Sequence, residues 1–105
     1  MDVPVTPKTA RENVLRVWLA RVPESSGVFY AFHPHQDPEA DEPLGEAHIY
    51  GRGAGSDAME RVMLIFHLRT AETMPQYSEG DTLRLLTRNK DGGFEDTALE
   101  IVEVE

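Results

Sequence analysis

The chain contains no cysteine among its 105 residues. That excludes disulfide cross-links, thiolate nucleophiles and thiolate metal ligands, and it leaves stability to the core alone. Cations are scarce too. Lysine and arginine together number 10 against 19 aspartates and glutamates, for a net charge of −9. A nucleic-acid binder releases counterions from phosphates with a Lys/Arg surface, and this composition counts against such a partner. Long apolar runs are also missing. The longest, Val62 to Phe66, falls far short of the roughly 20 residues that a bilayer-spanning helix needs. The start, Met1-Asp2-Val3-Pro4, lacks the basic and apolar regions of a secretory signal. Together these absences lead to the expectation of a cytoplasmic protein with no membrane partner.

What is present describes a folded chain. An apolar fraction of 40% with 28% charged residues is globular composition, and the length suits a single domain over residues 1–105. The acidic excess is uneven. It gathers in Asp37, Glu39, Asp41, Glu42, Glu46, Asp57 and Glu60, and again in Asp91, Glu95, Asp96, Glu100, Glu103 and Glu105. The first group surrounds a segment, residues 34–46, that carries Pro34, Pro38 and Pro43. Proline fixes φ and removes a backbone donor, so this segment reads as an exposed acidic loop. A second loop, Gly51 to Asp57, has glycines at 51, 53 and 55. It matches neither a phosphate-binding loop nor a dinucleotide fingerprint.

Strand patterns lie between these breaks. In Gly27–His33, Val28, Tyr30 and Phe32 share one face, with Phe29 and Ala31 on the other. Ala47–Tyr50 is a short strand candidate. In Asp81–Arg88, Leu83 and Leu85 share a face, while Arg84 and Arg88 flank Leu86 on the opposite one. Asn89-Lys90-Asp91-Gly92-Gly93 is a turn signal, so Phe94–Glu105 is expected to return as the partner strand. Leu99 and Ile101 are out of phase with Val102 and Val104, which a bulge near Ile101-Val102 reconciles. Two segments carry both helix and strand signals, and strand is the reading favoured for each. Thr9-x-x-Glu12 is a capping box ahead of helically spaced Val14, Leu15, Trp18, Leu19 and Val22, yet the same stretch is rich in strand formers. Glu60–Leu68 is equally apolar in either reading. The fold expected is all-β, a small antiparallel barrel or sandwich of about six strands. The alternative is α+β, with one N-terminal helix over residues 9–22 on an antiparallel sheet.

The candidate chemistry centres on His33-x-His35. Histidines at i and i+2 of a strand face one side, and with Glu39 they form a donor set suited to one divalent transition metal. The spacing Gly27-(x5)-His33-x-His35-(x3)-Glu39-(x5)-Gly45 resembles the first metal-binding motif of the cupin family. That resemblance implies a metal-binding single-domain β-barrel. No second motif follows it, since the only later histidines are His48 and His67. Glu79-Gly80-Asp81 leading into a strand and hairpin resembles PUA- and ASCH-type RNA-binding barrels, which implies RNA contact through the Arg61–Arg88 region. No nucleophile–base set is apparent. The reading favoured is a non-enzymatic interaction module with no cofactor, of the inhibitor, adaptor or accessory-subunit kind. It would present Asp37, Glu39, Asp41, Glu42, Glu46, Glu100 and Glu103 to a basic protein partner.

Overall fold

In a computed structural model of the chain, which describes residues 1–20, 27–49, 62–89, 91–97 and 99–105, the strand segments pair into two antiparallel sheets. The larger sheet contains β1 (Asp2–Pro4), β3 (Gly27–Phe32), β4 (Gly45–Ile49), β6 (Thr82–Arg88) and β7 (Phe94–Asp96). The smaller contains β2 (Val14–Leu19), β5 (Val62–His67) and β8 (Ile101–Val104), in the order β5-β2-β8. A short helix, α1 (Pro7–Glu12), links β1 to β2. The all-β class therefore holds, with eight strands among the described residues rather than six.

Alternation decides which side chains fill the space between the sheets. Leu83 and Leu85 of β6 point inward with Val3 and Ala31, which pair with them across the sheet. Leu15, Val17 and Leu19 of β2 come from the other side, joined by Leu64 and Phe66 of β5. All of these residues are fully or almost fully buried, and each such leucine or phenylalanine contributes about 1.5–3 kcal/mol by leaving water.

The expected barrel does not close. Strands β4 and β5 come together at one corner, where the Arg69 N–H donates to the Leu44 carbonyl at 2.8 Å, but they share no ladder. Gly45 permits this approach. A β-carbon there would lie 2.8 Å from the His67 carbonyl oxygen.

The favoured strand reading holds from Val14 to Leu19, and the alternative, a helix over residues 9–22, is corrected. It starts earlier and ends at Glu12. Thr6, not Thr9, is the N-cap, its Oγ1 accepting from the Thr9 N–H at 3.1 Å, and proline occupies the first turn. Asn13 stops the helix in the left-handed conformation with φ 57°. From Val14 to Leu19 the chain is a strand, paired with β5 on one edge and β8 on the other. The β-branched Val14 and Val17 favour this, and long-range pairing outweighs the helical spacing. Residues 21 and 22 lie outside the described residues.

The C-terminal segment is divided rather than continuous. Asn89 Oδ1 accepts from the Asp91 and Gly93 N–H groups at 3.0 Å each, Gly92 takes φ 85°, and β7 returns against β6. The chain then leaves for the smaller sheet, where Trp18 opposes Glu103 and Leu19 opposes Ile101. Val102 is thus the extra residue of a bulge, at the place where the apolar phase changes.

Gly45→Ala is expected to lower stability by about 1–3 kcal/mol in urea unfolding, because backbone must move to admit the methyl. Gly93→Ala meets only ordinary contacts, the nearest at 3.5 Å, and is expected to cost less than about 1 kcal/mol. Equal losses would show that the β4–β5 corner is not tight.

Candidate functional site

The outer face of the larger sheet carries Arg84, Leu86 and Arg88 from β6. Beside them stand Phe32 and Tyr30 of β3, and Phe94 of β7. Phe32 is completely buried although it lies outside the main core. Its ring meets Phe94 edge to face at 5.1 Å, and Phe94 meets Tyr30 in the same way at 5.2 Å. The Arg88 guanidinium stands 4.7 Å above Phe94 and 5.7 Å from Tyr30.

The acidic loop folds onto this same face. Arg84 donates to the Pro34 carbonyl at 3.4 Å. Gln36 stitches the loop, accepting from the His33 N–H at 2.8 Å and donating to the Glu42 carbonyl at 2.7 Å. Asp37 and Asp41 bond to one another's backbone. The Asp37 N–H donates to Asp41 Oδ2 at 2.8 Å, and the Asp41 N–H donates to the Asp37 carbonyl at 2.7 Å. Asp37 Oδ1 also accepts from the Glu39 N–H at 3.0 Å. The loop is thus a folded turn with its carboxylates sorted by task. Asp37 and Asp41 hold the backbone. Glu42 pairs with Arg69 at 2.8 Å on an exposed surface, Glu46 lies 3.9 Å from His48, and Glu39 has no ion-pair partner among the described residues.

Between the loop and the β6–β7 turn lies a cleft of about 300 Å³. Glu39, Asp41 and Glu42 line one side, and Arg88, Gly92 and Phe94 the other. Opposite charges on facing walls beside an aromatic ring suit a ligand carrying a cationic head and a nearby oxygen acceptor. In such a ligand the carboxylates would meet the cation and the Arg88 fork the acceptor.

The remaining expected site residues are placed elsewhere or apart. His33, His35 and Glu39 do not assemble into a metal set. No group of three or more His, Cys, Asp or Glu is arranged to hold a metal ion among the described residues. His33 Nδ1 instead accepts from the His35 N–H at 3.1 Å, and Glu39 belongs to the Asp37 turn. Glu103 lies on β8 of the far sheet and Glu100 just before that strand, its carbonyl accepting from the Ala20 N–H at 2.9 Å, so the two acidic segments do not share one face. Of the arginines, Arg84 and Arg88 share the outer face of β6, Arg69 is drawn to Glu42, and Arg61 lies outside the described residues, as does the loop Gly51–Asp57. Sequence reasoning did not join Arg88, Tyr30 and Phe94 to the acidic loop. The face-sharing of Tyr30 with Phe32, and of Arg84 with Arg88, was the available signal.

A second cleft, of about 260 Å³, lies beyond β5 and is lined by Asn13, Arg69, Glu72, Met74 and Tyr77 among others. The Tyr77 hydroxyl donates to Asn13 Oδ1 at 2.8 Å, and burial pushes its phenol above the ordinary value.

Fold and cleft together define a small all-β protein of two antiparallel sheets, with an acidic loop folded over an aromatic outer face. Comparison with family models, with curated proteins and with solved structures gives no match. No helix among the described residues is long and apolar enough to cross a membrane.

Gln36→Ala leaves the His33 N–H and the Glu42 carbonyl without this partner. A glutamate-specific protease is expected to cut after Glu39 several-fold faster in that variant, and stability to fall by about 1–3 kcal/mol. Unchanged cleavage would mean that Gln36 does not hold the loop. For Tyr77, the folded state favours the protonated phenol. Its contribution is present below pH 10.0 and is lost as pH climbs above that ordinary value. Tyr77→Phe is expected to flatten this alkaline fall in unfolding free energy. A fall as steep as in the parent protein would refute the assignment.

Proposed function

We propose that the chain is a non-enzymatic binding module that takes a basic segment of a partner protein into the cleft between residues 37–42 and the β6–β7 turn. The observation that carries this reading is that the acidic loop is preorganised. Asp37 and Asp41 spend their carboxylates on the loop's own backbone, which leaves Glu39 and Glu42 to face the cleft. A loop already folded gives up little conformational entropy on binding.

Energetics favour exchange at Glu42. Its pair with Arg69 joins side chains that are 54% and 77% exposed, and such surface pairs contribute about 0–1 kcal/mol. A partner's lysine or arginine replaces Arg69 at little cost. Arg88 supplies donors to the same segment's carbonyl groups, while Phe94 offers a face for the aliphatic stem of a lysine. The net charge of −9 adds long-range attraction to a basic surface. Inhibition or scaffolding by occlusion fits this arrangement, and a cysteine-free chain suits the reducing cytoplasm. Glu100 and Glu103 take no part in this surface.

Calorimetric titration with a synthetic glycine–lysine peptide tests the reading. Binding is expected to weaken steeply between about 0.05 M and about 0.5 M salt. The double variant Glu39→Gln, Glu42→Gln is expected to lose roughly tenfold or more in affinity. Equal binding of a glycine–glutamate peptide, or an unaffected double variant, would overturn it.

A further inference from the structure

The outer face of the smaller sheet lies on the opposite side of the molecule, and its chemistry differs from that of the cleft. Trp18 stands at its centre, half-buried, paired across the ladder with Met63 on β5 and Glu103 on β8. Arg16 pairs with Ile65. Ile65 is 38% exposed and Val102 is 47% exposed, the two large apolar residues most open to water among those described. An indole flanked by Met63, Ile65 and Val102 is an apolar patch of the kind that marks contact surfaces.

Charge says what covers it. The Trp18 Nε1–H donates to Glu105 Oε2 at 3.2 Å, and Glu103 sits beside it with no ion-pair partner among the described residues. The cation on this face, Arg16, already has Glu12 at 3.5 Å. One edge of the patch is therefore anionic. A second copy of the chain would bring a like-charged edge, and a second body of charge −9, against it. We infer that this face docks a segment of another protein that presents apolar side chains flanked by lysine or arginine. The apolar side chains would lie on Trp18 and Ile65, and the basic ones along Glu103 of β8. The site does not depend on the acidic cleft.

Trp18 is the chain's one tryptophan and reports directly on the patch. A synthetic leucine–lysine peptide, titrated at low salt, is expected to shift its emission to the blue. Ile65→Ser is expected to weaken binding roughly tenfold, and Val102→Ser to weaken it in the same direction. Circular dichroism checks that each variant is folded. Glu103→Gln is expected to flatten the salt dependence. The Glu39→Gln, Glu42→Gln variant, which lowers uptake of basic peptide by the cleft, is expected to leave the Trp18 emission shift in place, because Trp18 does not line the cleft. Unchanged Trp18 emission, or an emission shift that survives both serine variants, would overturn the proposal. So would loss of the emission shift in the cleft variant, which would show that Trp18 reports on the cleft and not on a separate face. A dimer in sedimentation that Ile65→Ser dissociates would also overturn it, by showing that a second copy covers the face.

Discussion

Strand β6 is hydrogen-bonded along both edges, and the two faces of that one strand organise the larger sheet. Strand β3 lies along one edge, while β1 and β7 share the other end to end. Most backbone groups of β6 have a ladder partner, which constrains its position in the sheet. Its inward residues, Leu83 and Leu85, meet the side chains of β2 and β5 and join the two sheets. Its outward residues, Arg84, Leu86 and Arg88, form the bed on which the loop and Phe94 rest. A slip of one residue would exchange these sets. It would place two arginines in the core, a cost large enough to fix the register and, with it, the cleft.

Proline content and acidity explain how a loop without core residues stays in place. Pro34, Pro38 and Pro43 narrow the backbone ensemble, which lowers the entropy lost on ordering. Asp37, Asp41 and Gln36 supply the acceptors that the turning backbone needs. The same composition therefore serves two ends. Some carboxylates shape the loop, and the others face the solvent-filled cleft. A count of acidic residues alone does not distinguish these roles, but the hydrogen bonds do.

Local pattern made much of the fold legible. The alternation in 28–32 and 83–88 placed each residue on its observed face, and Asn89 to Gly93 marked the turn. The phase change after Ile101 marked the bulge. What stayed hidden depends on distant partners. Helical spacing in 14–22 was real as a pattern, but β5 and β8 pair with both edges of 14–19 and decide its conformation. The return of Phe94 was legible, whereas the departure of Ile101–Val104 to another sheet was not, because no local signal names the strand that β8 will join. The cleft was hidden for the same reason. Phe32 and Phe94 touch at 5.1 Å across a long sequence separation, and His33-x-His35 has metal-ligand spacing without a third ligand brought near it.

Two chemically distinct surfaces on opposite sheets bear on how a partner is recognised. As proposed, the cleft would select by charge and hydrogen bonding, interactions that set encounter rate and discrimination more than raw affinity. The inferred Trp18 face would select by burial of apolar area, which governs residence time once contact is made. The packed core lies between them, so no side chain is common to both. Substitutions on one side should then add to those on the other with little coupling. A single partner that used both surfaces would have to wrap around a sheet edge. Strands β4 and β5 meet too closely at Gly45 to pass such a segment, whereas β8 is an end strand of the smaller sheet among the described residues. Glu103 lies on β8, so a segment that wrapped there would meet negative charge. On the proposed reading, the charge at the edge of the smaller sheet would then favour the same basic partner as its face.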